Sequence, residues 1–271
     1  MRHAQPPAVA PPRRWRGPTV AASAAAGALA ALALPRVAQD PAYHLFADGR
    51  RWAGVPSAAN VLSNVAFLVV GVAGLVVAGR ARFTDARERT PWLVLFASVA
   101  LVAPGSAWFH LAPSNATLVW DRLPIAAGFC AVLAAVVGER IRPAAGARLV
   151  APLVAAGVLS VAYWHVTEGG GAGDLRPYVL VQVYPMLGIP LVLALFPARY
   201  TRSGDWLVAL ALYAAAKAAE MGDAAVFWAG GIVSGHTLKH VLAALAIAVL
   251  VRMLARREPL VPSEAAARLV S

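Results

Sequence analysis

Charged residues are scarce in this chain. Asp, Glu, Lys and Arg make up 14% of its 271 residues, whereas hydrophobic residues make up 60%. An ordinary soluble domain carries roughly 25% charged residues. Because a soluble domain of this length has too much surface to cover with so few charges, the composition indicates that lipid is the natural solvent of the chain.

Cysteine and acidic residues are also in short supply. The single cysteine, Cys130, lies inside an apolar segment, where we interpret it as a packing residue. One cysteine excludes an internal disulfide framework and a cysteine-based metal cluster. The 13 acidic residues face 24 Lys and Arg, for a net charge of +11. A basic balance can indicate nucleic-acid binding, but these arginines are scattered between apolar runs, so we expect no nucleic-acid partner.

Long apolar runs are what the sequence has in abundance. Seven of them have about 18–23 residues, the length needed to cross a hydrocarbon core of ~30 Å. Lipid offers no water to backbone groups, so spans of this kind should be helices. The seven predicted spans cover residues 58–79, 92–111, 117–137, 148–166, 177–197, 206–228 and 236–254.

The remaining segments complete the predicted organisation. Residues 1–17 are rich in Pro and Arg and predict a disordered basic tail. Residues 18–39 contain a shorter, Ala-rich run, which predicts an extra N-terminal membrane helix or a signal-like segment. A seven-span domain over 40–257 and a short C-terminal tail over 258–271 follow. The predicted fold is therefore all-α, a polytopic membrane helix bundle with a seven-span core plus one extra N-terminal span.

The arginines predict how the bundle sits in a membrane. They cluster in alternate loops, and the other loops hold only Arg36, Arg50, Arg51 and Arg176. Positive residues accumulate on the cytoplasmic side of multi-pass proteins. We therefore expect a multi-pass protein of the cell membrane, with both termini cytoplasmic.

Five polar side chains fall at one predicted depth. Ser106 and His110 share a helix face at the end of one span, because they are four residues apart. A short loop follows, so Asp121 at the start of the next span should lie beside His110. His236 and His240 open the last span with the same spacing of four. In the predicted topology all five lie near the outer face of the membrane.

These residue types suit a catalytic zinc. Such an ion typically takes three protein ligands and keeps a fourth position for water, whose pKa falls to about 7. His110, His236 and His240 could form the ligand set, Asp121 could orient or deprotonate the water, and Ser106 could donate a hydrogen bond to a developing oxyanion. Two alternatives stay open: the histidines could hold a haem, or they could simply pair with Asp121.

For the other polar positions, the sequence predicts supporting or structural roles. Lys217 and Glu220 are three residues apart and are expected to pair, and Asp223 could support the metal histidines. A solvated loop face is expected from His165, Glu168, Asp174 and Arg176. We interpret His3 and His44 as ordinary loop residues. A polar band is expected to pack between helices or to line the cavity mouth: Asn60, Ser63 and Asn64.

Taken together, these motifs resemble the alkaline ceramidase family, within the superfamily that includes adiponectin and progestin receptors and haemolysin-III-like proteins. The resemblance covers residues 40–257, without the first span. The matching pieces, in order, are Asn60-Val61-Leu62-Ser63-Asn64, Gly105-Ser106 with Phe109-His110, Asp121-Arg122-Leu123-Pro124, and His236 with His240.

The resemblance implies a zinc amide hydrolase that cuts ceramide into a sphingoid base and a fatty acid. It implies that His110, His236 and His240 ligate zinc. It also implies that Asp121 acts on the zinc-bound water and that Ser106 stabilises the oxyanion. Eukaryotic members also use an acidic N-terminal segment and a nearby Glu for calcium. Here that segment holds one carboxylate, Asp48, beside two arginines, and Ser57 stands at the Glu position. This departure argues against calcium.

The leading hypothesis is thus a zinc-dependent integral membrane hydrolase of a ceramide-like lipid amide. The alternative is a receptor- or sensor-like seven-span protein with structural zinc and no turnover. A transporter or a haem protein is the third possibility.

Overall fold

The computed structural model describes residues 14–260, and these residues are helical with no β-strand among them. The all-helical prediction is confirmed. The helices are α1 Arg16–Ala33, α2 Ala58–Ser63, α3 Val65–Arg80, α4 Arg89–Leu111, α5 Asn115–Arg140, α6 Pro143–Gly169, α7 Arg176–Leu195, α8 Gly204–Met221, α9 Asp223–Gly230 and α10 Gly235–Arg256. Short 3-10 turns cover Pro41–His44 and Ala86–Glu88.

Six helical stretches of the described chain are long and apolar enough to cross a membrane, which fits a multi-pass membrane protein. Each of them overlaps a predicted span. They are Ala58–Arg80 (α2 and α3 together), Ala86–Leu111, Asn115–Arg140, Pro143–Gly169, Arg176–Leu195 and Gly235–Arg256. The predicted count of seven spans plus one is therefore not reproduced, and the differences lie in two places.

The first difference is the N-terminal helix. Helix α1 begins at Arg16, inside the predicted basic tail, and ends at Ala33, short of the predicted boundary at 39. It lies against α7, where the Ser23 hydroxyl is 3.1 Å from the Tyr184 hydroxyl. Helix α1 has 18 residues and begins with Arg16, Gly17 and Pro18, and it is not among the six stretches that are apolar enough to cross a membrane. Residues 1–13 and 261–271, which hold most of the two predicted tails, lie outside the described residues.

The second difference is the predicted span over 206–228, which the structure divides at Gly222 into α8 and α9. Helix α8 also carries Asp205, Lys217 and Glu220, more charge than a simple lipid-crossing helix holds. The division matters for the site, because it leaves the side chain of Asp223 at the first position of α9, facing the start of α10.

The long helices surround a central space. Helix α4 packs between α3 and α5, helix α5 also contacts α6 and α7, and α10 packs between α3 and α8. Helix α4 ends where α5 and α10 begin, so His110, Asp121 and His236 come to the same end of the bundle. We call this the histidine end.

Aromatic packing closes the opposite end. Trp92 and Trp206 are fully buried against each other, with ring centroids 5.4 Å apart. The Arg257 guanidinium lies over Tyr200 and forms a buried ion pair with Glu139. A buried charge of this kind is tolerated only when it is paired. These contacts tie α5, α8 and the end of α10 together.

Candidate metal centre

The three predicted ligands meet. His110, His236 and His240 are all buried, and one nitrogen of each ring lies within 4.8 Å of those of the other two. Their ring centroids are 4.8 to 5.1 Å apart. Helical spacing explains the pair on α10, since residues four apart lie on the same face. The group could therefore hold a metal ion.

The start of α10 is fixed from several sides. Ser234 caps the helix by accepting a hydrogen bond from the Thr237 amide at 3.1 Å. Gly235 sits so close to α8 that a Cβ there would lie 2.1 Å from the Ala219 carbonyl oxygen. Asp223 then accepts the backbone amide of His236 at 2.7 Å. The carboxylate thus supports the histidine through its backbone, not through the imidazole ring.

The polar band on α2 supplies the partner of one imidazole. The Ser63 hydroxyl lies 2.7 Å from His240 Nδ1 and donates to the Asn60 carbonyl at 2.9 Å. Because that hydroxyl hydrogen is already used, the serine oxygen accepts from His240, so the network assigns the ring hydrogen to Nδ1. His240 Nε2 then keeps its lone pair, and it is buried without a hydrogen-bond partner among residues 14–260. The side-chain oxygen of Asn60 also accepts a hydrogen bond from the Thr237 hydroxyl at 2.6 Å.

The donor set fits zinc on two counts. Both ring nitrogens of His110, like Nε2 of His240, are buried without a partner in the described chain, and such orphaned polar atoms are costly unless a ligand satisfies them. Neutral imidazoles are ligands for zinc and for neighbouring transition metals. Three of them also match the usual protein ligand count of a catalytic zinc.

Aromatic rings enclose the histidines. Phe46 lies 4.6 Å from His110 and 4.9 Å from His236, centroid to centroid, and Phe67 lies 5.8 Å from His240. Phe46 belongs to the loop between α1 and α2, which is fastened over the site by the Ala47 amide donating to Asp223 at 2.9 Å. This loop covers the histidine end with an apolar lid.

The predicted catalytic pair lies at the same end. Ser106 and Asp121 are both buried, and both border the cavity that His240 also borders. Gly105 makes the close packing of α4 and α5 possible, because a Cβ there would lie 2.1 Å from the Trp120 carbonyl oxygen. The two helices can approach this closely only with glycine at that position.

That cavity has a volume of about 300 Å³ and runs between α3, α4, α5, α7, α8 and α10. Its polar end carries Ser106, Asp121 and His240. Charged side chains of α5, α8 and α10 also border the cavity, and an apolar part extends to Leu95, Trp206 and Leu250, towards the opposite end of the bundle. Small-molecule sites start at about this size and combine an apolar wall with a few polar groups.

A partly buried charge cluster at the cavity was only partly predicted from the sequence. Lys217 and Glu220 form the predicted ion pair, and Lys239 adds a second cation to Glu220 at 2.7 Å. Tyr43 donates to the same carboxylate at 3.2 Å. Lys239 also lies 3.3 Å from Nε2 of His236. The signal for Lys239 was present in the sequence, since a lysine inside an apolar span is a functional candidate by default.

Some loop residues at the histidine end that were predicted to form a solvated face are instead buried or hydrogen-bonded. Asp174 is buried and accepts from Arg176 and Tyr163, so that interpretation is wrong for it. The hydrogen bonds from Arg176 lower the pKa of Asp174 to about 2. His44 hydrogen-bonds Asn115 at 2.9 Å, and His3 lies outside the described residues.

Asp48 is likewise engaged. Both of its carboxylate oxygens accept from Arg50, at 2.8 and 2.7 Å, and these bonds lower the pKa of the Asp48 carboxyl. Arg50 also donates to the Ile232 carbonyl at 2.6 Å, which ties the loop to the start of α10. This carboxylate therefore serves as a partner of arginine.

Comparison with protein-family models and with curated proteins gives no match for this chain.

Proposed function

We propose that the chain is a zinc-dependent integral membrane hydrolase acting on a lipid amide of the ceramide type. The observation that carries the proposal is the buried group of three histidines, one of which, His240, borders a largely apolar cavity together with Ser106 and Asp121. The family resemblance of the motifs points to the same chemistry. The arginine distribution supports cytoplasmic termini and a site near the outer face.

The cavity explains why the substrate would be a lipid. Its apolar length suits an acyl chain, while the amide group would lie at the polar end between Ser106 and Asp121. His110, His236 and His240 would hold the ion. When bound, zinc supplies a Lewis acid that lowers the pKa of water to about 7.

The chain's own residues divide the remaining work. Asp121 accepts the proton of the attacking water and returns it to the leaving amine. Ser106 donates a hydrogen bond to the carbonyl oxygen as negative charge develops there. Hydrolysis breaks the C–N bond, and the elements of water appear in the carboxylic acid and the amine. The lid formed by Phe46 keeps bulk water away from the histidines.

Zinc content and lipid hydrolysis test the proposal together. The purified protein should contain about one zinc per chain, the stoichiometry of a single three-histidine site, and should release fatty acid from ceramide. His236→Ala should lose the metal, and Asp121→Asn should keep it but lose most of the turnover. His165→Ala, an exposed histidine, is the matched control. Full turnover in Asp121→Asn would refute the assigned role.

A receptor- or sensor-like protein with structural zinc is the second candidate. One observation favours it: Lys239 and Glu220 form an ion pair at the polar end of the cavity, and the lysine lies against His236. Such a cluster could serve to sense a ligand without turning it over. This candidate predicts bound zinc, no fatty-acid release, and a lower melting temperature in His236→Ala.

A further inference from the structure

Arg122 is a buried cation beside the proposed site. It follows Asp121 on α5, is 5% exposed, and borders the cavity. No carboxylate lies within ion-pair distance of it among residues 14–260. Arginine does not give up its proton in proteins, so the charge stays. A buried charge without a partner is unusual and needs an explanation.

Aromatic rings surround the guanidinium. Its Cζ atom lies 4.0 Å from the ring centroid of Trp164, 4.7 Å from that of Tyr178 and 5.6 Å from that of Tyr43. Stacking on aromatic faces stabilises the cation without using its in-plane N–H groups. These donors therefore remain for hydrogen bonds.

Only some of the N–H donors of the Arg122 guanidinium form hydrogen bonds within the described protein. Nη2 donates to the Gln39 side-chain oxygen at 2.6 Å, whereas Nη1 is buried without a partner in the described chain. Gln39 is itself fixed, since its backbone amide donates to Glu168 at 2.9 Å and its side chain to the Asp40 carbonyl at 3.1 Å. The guanidinium is thus held in place by neutral groups and lacks an anion.

The neighbouring charges do not supply that anion. Glu220 is engaged by Lys217 and Lys239. Asp121 borders the same cavity as Arg122, but its carboxylate is not within ion-pair distance of the guanidinium. The ionisable side chains that border the cavity are three cations and two carboxylates, in addition to His240 and three tyrosines. The polar end of the cavity therefore has room for one more negative charge.

We propose that Arg122 binds a carboxylate on the amine part of the substrate, so that N-acylated amino acids are the preferred class among the lipid amides that the site hydrolyses. The apolar part of the cavity takes the acyl chain, which leaves the amine part for the polar end, where Arg122 lies. Guanidinium groups match carboxylates because their planar donors bond both oxygens. The inference rests on the proposed hydrolysis for its reaction: water cleaves the C–N bond, giving a fatty acid and a free amino acid.

A matched pair of lipids tests the proposal. N-palmitoylglycine and N-palmitoylethanolamine share the chain and the amide, but only the first has a carboxylate where the second has a hydroxyl. Equilibrium binding to the purified protein in nanodiscs should favour N-palmitoylglycine by about tenfold or more, since a hydrogen bond to a charged group contributes that much. Fatty-acid release from both lipids is measured in parallel.

Variants link the preference to the residue. Arg122→Gln should bind both lipids equally, and Arg122→Lys should recover part of the preference because the charge returns without the planar donors. Arg36→Gln, an exposed arginine of the α1–α2 connection, is the control and should keep the full preference. If the role of Arg122 were purely structural, Arg122→Gln would weaken the binding of both lipids by the same factor.

The outcomes separate the two proposals. Equal binding of the two lipids to the wild-type protein would overturn the inference, and this comparison needs no variant to fold. An unchanged preference in a folded Arg122→Gln protein would overturn it as well. Preferential binding without fatty-acid release would support the carboxylate site while the proposed hydrolysis fails. Release of fatty acid from ceramide, with no binding preference for the lipid that carries a carboxylate, would support the proposed hydrolysis and overturn the carboxylate site.

Discussion

Removing one hydroxyl should weaken the metal site without touching a ligand. Ser63 lies 2.7 Å from His240 Nδ1 and is the only hydrogen-bond partner of that ring found in the described residues. Ser63→Ala removes the acceptor that holds the hydrogen on Nδ1. The ring is then free to rotate and to change tautomer, so Nε2 is no longer held ready for the ion.

The size of the effect follows from the position of the serine. Loss of a hydrogen-bond partner behind a metal-ligating histidine typically reduces metal affinity by about 10–100-fold, or about 1.4–2.8 kcal/mol. We expect Ser63→Ala to lie in this range. The fold should be little affected, because alanine is the best helix former and the serine's other bond is local, to the Asn60 carbonyl.

Competition between the purified protein and a fluorescent zinc chelator measures the affinity. Ser160→Ala is the matched control, since Ser160 is a buried helical serine that donates to the carbonyl three residues earlier, at 2.7 Å, but lies on α6. Its zinc affinity should equal that of the wild type. If Ser63→Ala also binds zinc like the wild type, the reasoning about His240 is refuted.

Three further perturbations probe charge, packing and pH. Lys239→Met should raise zinc affinity about tenfold, because an ammonium 3.3 Å from His236 Nε2 repels a cation, and the same chelator competition measures it. Gly105→Ala should destabilise the protein by about 1–3 kcal/mol through overpacking against α5, seen as a lower melting temperature. Asp174→Asn should lower the melting temperature at neutral pH, because Arg176 holds the pKa of this carboxyl at about 2 in the folded state. That stability is present above the unfolded pKa of about 3.9 and is lost as the pH falls through about 2, so the two melting curves should converge over this range.

Two of these predictions have a matched control variant, and the third is checked by its pH dependence. Lys217→Met is the control for Lys239→Met, because Lys217 also pairs with Glu220 but makes no hydrogen bond to a histidine of the described chain. An equal gain in zinc affinity in Lys217→Met would point to a general charge effect. Gly79→Ala has no atom within 4 Å of the added carbon and should cost little. A constant difference between wild type and Asp174→Asn at all pH values would contradict the ion-pair explanation.

Much of the fold could be predicted from the sequence, because the spans are long and their boundaries are charged. The six helical stretches that could cross a membrane each match a predicted span. Hydropathy averaged over residues 206–228 does not locate the division at Gly222, although Glu220 and Asp223 flank this glycine. What favours the break is tertiary: Asp223 accepts the backbone amides of His236 and Ala47, which no local pattern reveals.

The site was predictable where helical spacing sets it. Ser106 with His110, and His236 with His240, share faces at matching depth, and the structure brings the three histidines together. The surrounding groups were harder, because they come from loops and from distant helices. Ser63 behind His240 and Arg122 among aromatic rings depend on how α2, α6 and α7 pack, which spacing alone does not encode.

The coordination of zinc in the purified protein tests the central claim most directly. X-ray absorption at the zinc edge should show three imidazole nitrogens and one oxygen ligand at about 2.0–2.1 Å. His110→Ala, His236→Ala and His240→Ala should each abolish this signature. A protein without stoichiometric zinc, or one whose zinc spectrum is the same after the three substitutions, would contradict the account.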